Sequence, residues 1–209
     1  MRRNRIQALL LFAVGFTVAC AGAFGPPEAF SPRRVELTGT YVHPGTSLEY
    51  PERIGVFRRL FVTEYDPDGY DSSGHYASPE SLLITARVYH YPATVDVTPP
   101  TSDEFVDHYA QVLADITSST AGGKLIGTEW EPREINSFEL NGLHSIFEFE
   151  EFGTYHAPVR SHVYLYVLDG WYLKFRFTHP ADIDVGATEH EVKLIESIRW
   201  PRPDSQPAI

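Results

Sequence analysis

The sequence predicts an α+β domain, a largely antiparallel sheet flanked by helices. Segments rich in β-branched and aromatic residues outnumber helical ones about three to one. Two of them are joined by Asp169-Gly170, the strongest short hairpin signal in the chain. Only two stretches repeat apolar residues at helical spacing. Sequential hairpins pair antiparallel, and the helices must then bury their apolar stripes against the sheet.

In chain order, residues 35–41 and 47–50 are short strand candidates, followed by a strong one at 56–65 (VFRRLFVTEY). Tyr65-Asp66-Pro67-Asp68-Gly69 is turn chemistry, because Pro presets φ and Gly accepts the left-handed position. A strand over 81–91 (SLLITARVYHY) follows. Thr101 with Glu104 offers a capping box for a helix to Thr117, whose inward face is Phe105, Tyr109, Val112, Leu113 and Ile116. Strands are expected at 124–130, 141–150, 162–168 and 171–179. The last helix runs from about Ala187 to Ile198, with Thr188 and Glu191 as its cap and Leu194, Ile195 and Ile198 inward.

This order resembles the Mog1/PsbP-like α/β/α sandwich, and in particular exported bacterial proteins of that shape. The resemblance rests on Ser47-Leu48-Glu49-Tyr50-Pro51, a strand, the Pro-Asp-Gly turn, a strand ending Tyr91-Pro92 and an amphipathic helix. A hairpin through Gly170-Trp171-Tyr172-Leu173-Lys174-Phe175-Arg176 and a helix closing on Ile198-Arg199-Trp200 complete it. It covers roughly residues 40–200. Members include photosystem-associated extrinsic proteins and a Ran-binding protein, which share no chemistry. The resemblance therefore implies a binding or assembly role without fixing a ligand.

Residues 1–19 have the form of an export signal. Arg2, Arg3 and Arg5 precede a twelve-residue apolar run, Ala8 to Ala19, too short for a membrane span of about 20 residues. Thr17-Val18-Ala19-Cys20 resembles the bacterial lipobox, which makes Cys20 the expected lipid attachment point. Ala21 beside it favours the outer membrane by the same resemblance, with the domain facing the periplasm. The alternative is a soluble periplasmic or secreted protein, cut after Ala21 or Ala23. Residues 20–34 form a Gly/Pro/Ala-rich linker, 35–200 the single domain, and 201–209 a frayed tail.

Cys20 is the only cysteine, so no disulfide forms within one chain and the core must hold the domain. Removing residues 1–19, with three arginines and no acid, takes the formal charge from −11 to −14. So acidic a surface repels phosphate backbones, and nucleic acid is not an expected partner.

The chemical motifs fall short of a catalytic or metal centre. Asp66 to Asp71 lacks the Gly and Glu that a calcium loop needs at its sixth and twelfth positions, where Asp71 and Ala77 stand. His190-Glu191 lacks the second histidine of a zinc-protease helix, since Leu194 occupies that place. There is no Gly-x-Ser-x-Gly elbow and no phosphate-binding glycine pattern. No metal and no cofactor is expected. A periplasmic hydrolase using Glu148, Glu150, His144 or His162 is the alternative, and needs two of them within hydrogen-bond reach in a pocket.

Sorting strands by parity gives the most suggestive pattern. One set of faces is apolar: Leu82, Ile84, Ala86 and Val88; Val163, Leu165 and Val167; Trp171, Leu173, Phe175 and Phe177. If the strands face consistently, the other side gathers Arg87, Tyr89, Tyr91, Tyr164, Tyr166, Tyr172, Lys174 and Arg176. Tyr and Arg are residues that interfaces favour. The expected function is thus a non-enzymatic envelope lipoprotein whose tyrosine/basic face binds another envelope protein or a small anionic ligand. Solvated packing of tyrosines on a half-exposed sheet gives the same pattern.

The anchor has a direct test. Cys20→Ala is expected to move the protein from the membrane fraction to the soluble one; continued membrane association contradicts lipidation at Cys20.

Overall fold

The computed structural model describes residues 30–78, 84–119, 122–135, 137–151 and 157–200. The expected signal, Cys20, most of the linker and the tail lie outside these residues, as does Leu82. Among the described residues, nine strands form one sheet. Its first half contains β1 (Arg33–Val35), β4 (Arg53–Ile54), β5 (Phe57–Glu64), β6 (Ser72–Ala77) and β7 (Thr85–Pro92). The second half contains β8 (Lys124–Ile135), β9 (Phe138–Phe149), β10 (Val159–Leu168) and β11 (Trp171–Pro180). The order is β1-β5-β6-β7-β11-β10-β9-β8, with β4 alongside β5. The register pairs are all antiparallel. β2 (Tyr41–Val42) and β3 (Glu49–Tyr50) form a separate pair. Helix α1 (Asp103–Ser119) packs on one face and α2 (Asp184–Ser197) on the other. The chain is an α+β sandwich with a large antiparallel sheet between two helices.

Local chemistry accounts for the boundaries. Asp169 and Gly170 both take positive φ, 51° and 77°, as a tight hairpin turn requires, and this sets Leu168 opposite Trp171. Gly69 also takes positive φ, and the Asp66 carboxylate accepts from the Tyr70 and Asp71 amides at 2.9 and 2.8 Å. Helix α1 is capped by Ser102 rather than Thr101, since the Phe105 amide donates to the Ser102 hydroxyl. Helix α2 starts at Asp184, so Thr188 and Glu191 fall inside it and do not cap it. Arg33 and Arg34, assigned to the linker by composition, already pair with β5.

The core has two layers. On the α2 face, Leu194, Ile195 and Ile198 meet Phe175, Phe177, Tyr164 and Tyr166, with Tyr50 and Trp200 alongside. Buried Arg59 holds the incoming segment there, donating to the carbonyls of Tyr50, Gly39 and Leu37. On the α1 face, Phe105, Tyr109, Val112 and Ile116 meet Leu143, Phe147, Val163, Leu165 and Tyr172. Among the described residues, no helix is long and apolar enough to cross a membrane.

Gly142 records how tightly β9 and β10 pack under α2. A Cβ there would sit 2.4 Å from the Tyr166 ring and 2.6 Å from the Leu165 carbonyl oxygen, whereas one on Gly127 meets nothing within 4 Å. Gly142→Ala is expected to cost about 1–3 kcal/mol in urea denaturation. Gly127→Ala should stay within about 0.5 kcal/mol of wild type. Equal midpoints for the two variants would contradict this packing.

Candidate functional site

The register decides which side chains share a face, because residues directly opposite in a ladder point the same way. Across β7 and β11, Arg87 lies opposite Arg176, Tyr89 opposite Lys174 and Tyr91 opposite Tyr172. These six share a face as parity predicts. Strand β10 is reversed: Tyr164 lies opposite Phe175 and Tyr166 opposite Leu173, whereas Val163 and Leu165 lie opposite Arg176 and Lys174. Tyr164 and Tyr166 are therefore on the α2 face, buried to 4% and 0% exposure, and leave the proposed surface. The physical reason is that β10 is covered by a helix on each side, so both of its faces are interior and its parity does not distinguish them.

Helix α1 then divides the remaining face. Tyr172 lies under it, 2% exposed, with its ring stacked on His108 at 4.1 Å. Tyr91 sits at the boundary, its hydroxyl 2.9 Å from His108 Nε2. Beyond that line no described helix packs on the half built by β1, β5, β6 and β7. A row of side chains crosses it. The Arg34 guanidinium lies 3.9 Å above the Phe61 ring, and Phe61 stacks on His75 at 4.2 Å. His75 is opposite Arg87, which is opposite Arg176. In the next row Tyr89 lies 4.1 Å beneath the Lys174 ammonium.

Arg34, Phe61 and His75 were not legible in the sequence. A β-bulge between Arg59 and Phe61 switches the parity of β5, leaving Leu60 52% exposed and turning Phe61 and Thr63 to this face. Strand β6, which carries His75, was not predicted at all.

A cleft of about 310 Å³ opens between the row and α1, lined by Tyr65, Asp71, Tyr89, Tyr91, His108 and Lys174 among others. Burial pulls the Lys174 ammonium below its usual range, while Tyr89 and Asp71 oppose this. Burial raises the Asp71 carboxyl, with the Asp66 charge adding to the effect and Lys174 opposing it. The Lys174 charge is thus met by an acid within the cleft. Arg34, paired to Glu36 at 2.9 Å, and Arg87 are both exposed and face outward, with Arg176 half-buried beside them and donating to the Ser161 hydroxyl at 3.1 Å.

The hydrolase candidates separate into two places. Glu148 and Glu150 line a cleft of about 380 Å³ with Lys124, and Glu148 is paired to Arg160 at 2.9 Å. His144 and His162 meet under α2, with Nε2 of the first 3.3 Å from Nδ1 of the second. Both are nearly buried, at 7% and 5% exposure. They belong to a polar cluster with Tyr164, His179 and Glu191 that the spread of these residues through the sequence concealed.

An antiparallel sheet with one helix on each face is the arrangement that the resemblance implied. The chain is similar in structure to a protein of unknown function from Pseudomonas aeruginosa described as a putative regulator, with TM-score 0.46 and 14% identity. That match covers 78% of this chain and 96% of the other. It is also similar to the cyanobacterial PsbP of Synechocystis, with TM-score 0.46 and 13% identity over 88% and 98% of the two chains. A third similar structure, from Bacteroides thetaiotaomicron, has TM-score 0.44 and 16% identity over 82% of this chain, which spans about half (52%) of that protein. These likenesses are of shape and say nothing of activity. No family model matches the sequence, and no curated protein matches it either.

The electrostatics of the open row are testable at His75. Burial, with the Arg87 and Arg34 charges adding to it, lowers its imidazole from 6.5 to about 4. Its NMR titration should give a midpoint near 4, and Arg87→Gln should raise it; a midpoint of 6.5 or above would contradict the row. Because the unfolded chain binds this proton first, the contribution of His75 to stability is present above pH 6.5 and is lost as pH falls from 6.5 through 4.

Proposed function

We propose that this chain is a non-enzymatic binding protein of the bacterial envelope, lipid-anchored at Cys20, that engages an acidic segment of another envelope protein through the open half of its sheet. The observation that carries this reading is the Arg87–Arg176 pair. Two guanidinium residues stand directly opposite on adjacent strands, with His75 next in the row. Two guanidinium groups on one face of adjacent strands present several N–H donors that one partner carboxylate can meet. On a chain of formal charge −11 this concentration of cations is local.

The breadth of the surface favours a protein over a small anion. The row runs across five strands, from Arg34 on β1 through Phe61, His75 and Arg87 to Arg176 on β11, with the two rings between cations at either end. The adjoining cleft holds Asp71 and Asp115 together with Lys174, which disfavours a small anion inside it and suits a hydrogen-bonding or aromatic side chain. A hydrolase would need reactive groups that substrate reaches, and the His144–His162 contact is buried beneath α2.

The test compares the immobilised full chain with its Arg87→Glu/Arg176→Glu variant, and with Lys193→Glu on the exposed side of α2. An envelope protein retained by wild type should be reduced tenfold or more on the double variant, about 1.4 kcal/mol, and unchanged on Lys193→Glu. If every retained protein binds the double variant as well as wild type, this face is not the binding surface.

A further inference from the structure

The polar cluster under α2 is built differently from the open face. His162 and Thr178 belong to paired strands, and His179 follows Thr178 on β11. Glu191 comes from α2 and His144 from β9. The three residues His162, His179 and Glu191 are 5%, 0% and 2% exposed. One ligand atom from each lies within 4.8 Å of the others. His162 Nδ1 is 3.3 Å from one Glu191 oxygen, and His179 Nε2 is 3.8 Å from the other. Donors held about 2.0–2.1 Å from a tetrahedral zinc are separated by about 3.3 Å, so small inward movements suffice.

The outer nitrogens give an independent indication. His179 Nδ1 donates to the Pro180 carbonyl at 2.8 Å, which fixes the tautomer in which Nε2 carries the lone pair. That Nε2 is buried, makes no hydrogen bond among the described residues and faces the Glu191 carboxylate. His144 repeats the pattern. Its Nδ1 is 3.2 Å from the Glu129 carboxylate at the protein surface, which turns Nε2 inward, 3.3 Å from His162. Imidazoles whose far N–H is held by a carbonyl or carboxylate are the usual arrangement at metal centres. Glu191 in turn accepts from the Tyr164 hydroxyl at 3.2 Å, and the Tyr164 ring stacks flat on His144 at 4.2 Å.

We infer that His162, His179 and Glu191, joined by His144, form a site for one divalent transition-metal ion of the zinc type, which fastens α2 to β9, β10 and β11. Nitrogen donors with a single carboxylate suit zinc and its cobalt substitute and do not suit calcium or magnesium, which take oxygen. Enclosure of the ligands beneath α2 fits a structural site rather than one with an open position. The site lies on the opposite face from the Arg87–Arg176 row, so its failure would leave the binding surface untouched.

The experiment uses the purified full chain, stripped with a chelator and dialysed, then titrated with Zn²⁺ by calorimetry and with Co²⁺ by visible absorption. One equivalent of each is expected to bind, with tetrahedral cobalt bands and a rise in the thermal midpoint. Glu191→Gln, which preserves shape, and His179→Ala should each weaken binding by at least about 100-fold. His190→Ala, on the same helix and outside the cluster, should bind as wild type. If the stripped wild-type chain takes up no stoichiometric zinc, or if Glu191→Gln binds zinc and cobalt as wild type does, the cluster is a hydrogen-bonded network without metal and the inference is overturned. The wild-type titration decides this even if His179→Ala fails to fold.

Discussion

The register of β10 against β11, locked by the two left-handed residues of the Asp169-Gly170 turn, is the constraint on which the rest of the molecule depends. Side chains alternate across a strand, so a slip of one residue would exchange the contents of the two faces. In the observed register Phe175 and Phe177 lie under α2, while Lys174 and Arg176 lie on the α1 side. The same register brings His162 beside His179 and sets both beneath Glu191. Both the open cationic row and the buried histidine cluster follow from it.

Helix α1 supplies the second division. Its apolar stripe is complementary to β9, β10 and the near end of β11, which offer Leu143, Phe147, Val163 and Leu165. Over β5, β6 and β7 the same face presents Phe61, Thr63, Ser73, His75, Arg87 and Tyr89, which provide no continuous apolar floor for a helix. These side chains satisfy one another instead. His75 Nε2 lies 3.2 Å from the Thr63 hydroxyl and 3.0 Å from that of Ser73, and the Phe61 ring lies beneath the guanidinium of Arg34. Among the described residues, no further layer covers this half of the sheet.

The sequence made the fold class legible because its strongest local signals agree with its tertiary structure. The Asp-Gly turn, the Pro-Asp-Gly turn and the helical spacing of Phe105, Tyr109, Val112 and Ile116 all describe elements that form where expected. Strand β6 was hidden because Ser72-Ser73-Gly74-His75 has little strand propensity. It forms between β5 and β7, where a Cβ on Gly74 would lie 3.0 Å from the rings of Tyr50 and Tyr76. The facing of β10 was hidden for the opposite reason, since a strand interior on both sides carries no polar alternation. Six of the eight residues placed on the candidate surface share a face, and only Arg87, Tyr89, Lys174 and Arg176 lie beyond the cover of α1. The histidine cluster combines positions 144, 162, 179 and 191, which no local spacing relates.

Interstrand nuclear Overhauser effects between β10 and β11 measure the deciding register in solution. Contacts pairing Tyr164 with Phe175 and Val163 with Arg176 are the expected result, placing the tyrosines under α2 and the cations on the other side. Contacts pairing Tyr164 with Lys174 or Arg176 would turn β10 over, return Tyr164 and Tyr166 to the cationic face, and contradict the division of the sheet on which both sites rest.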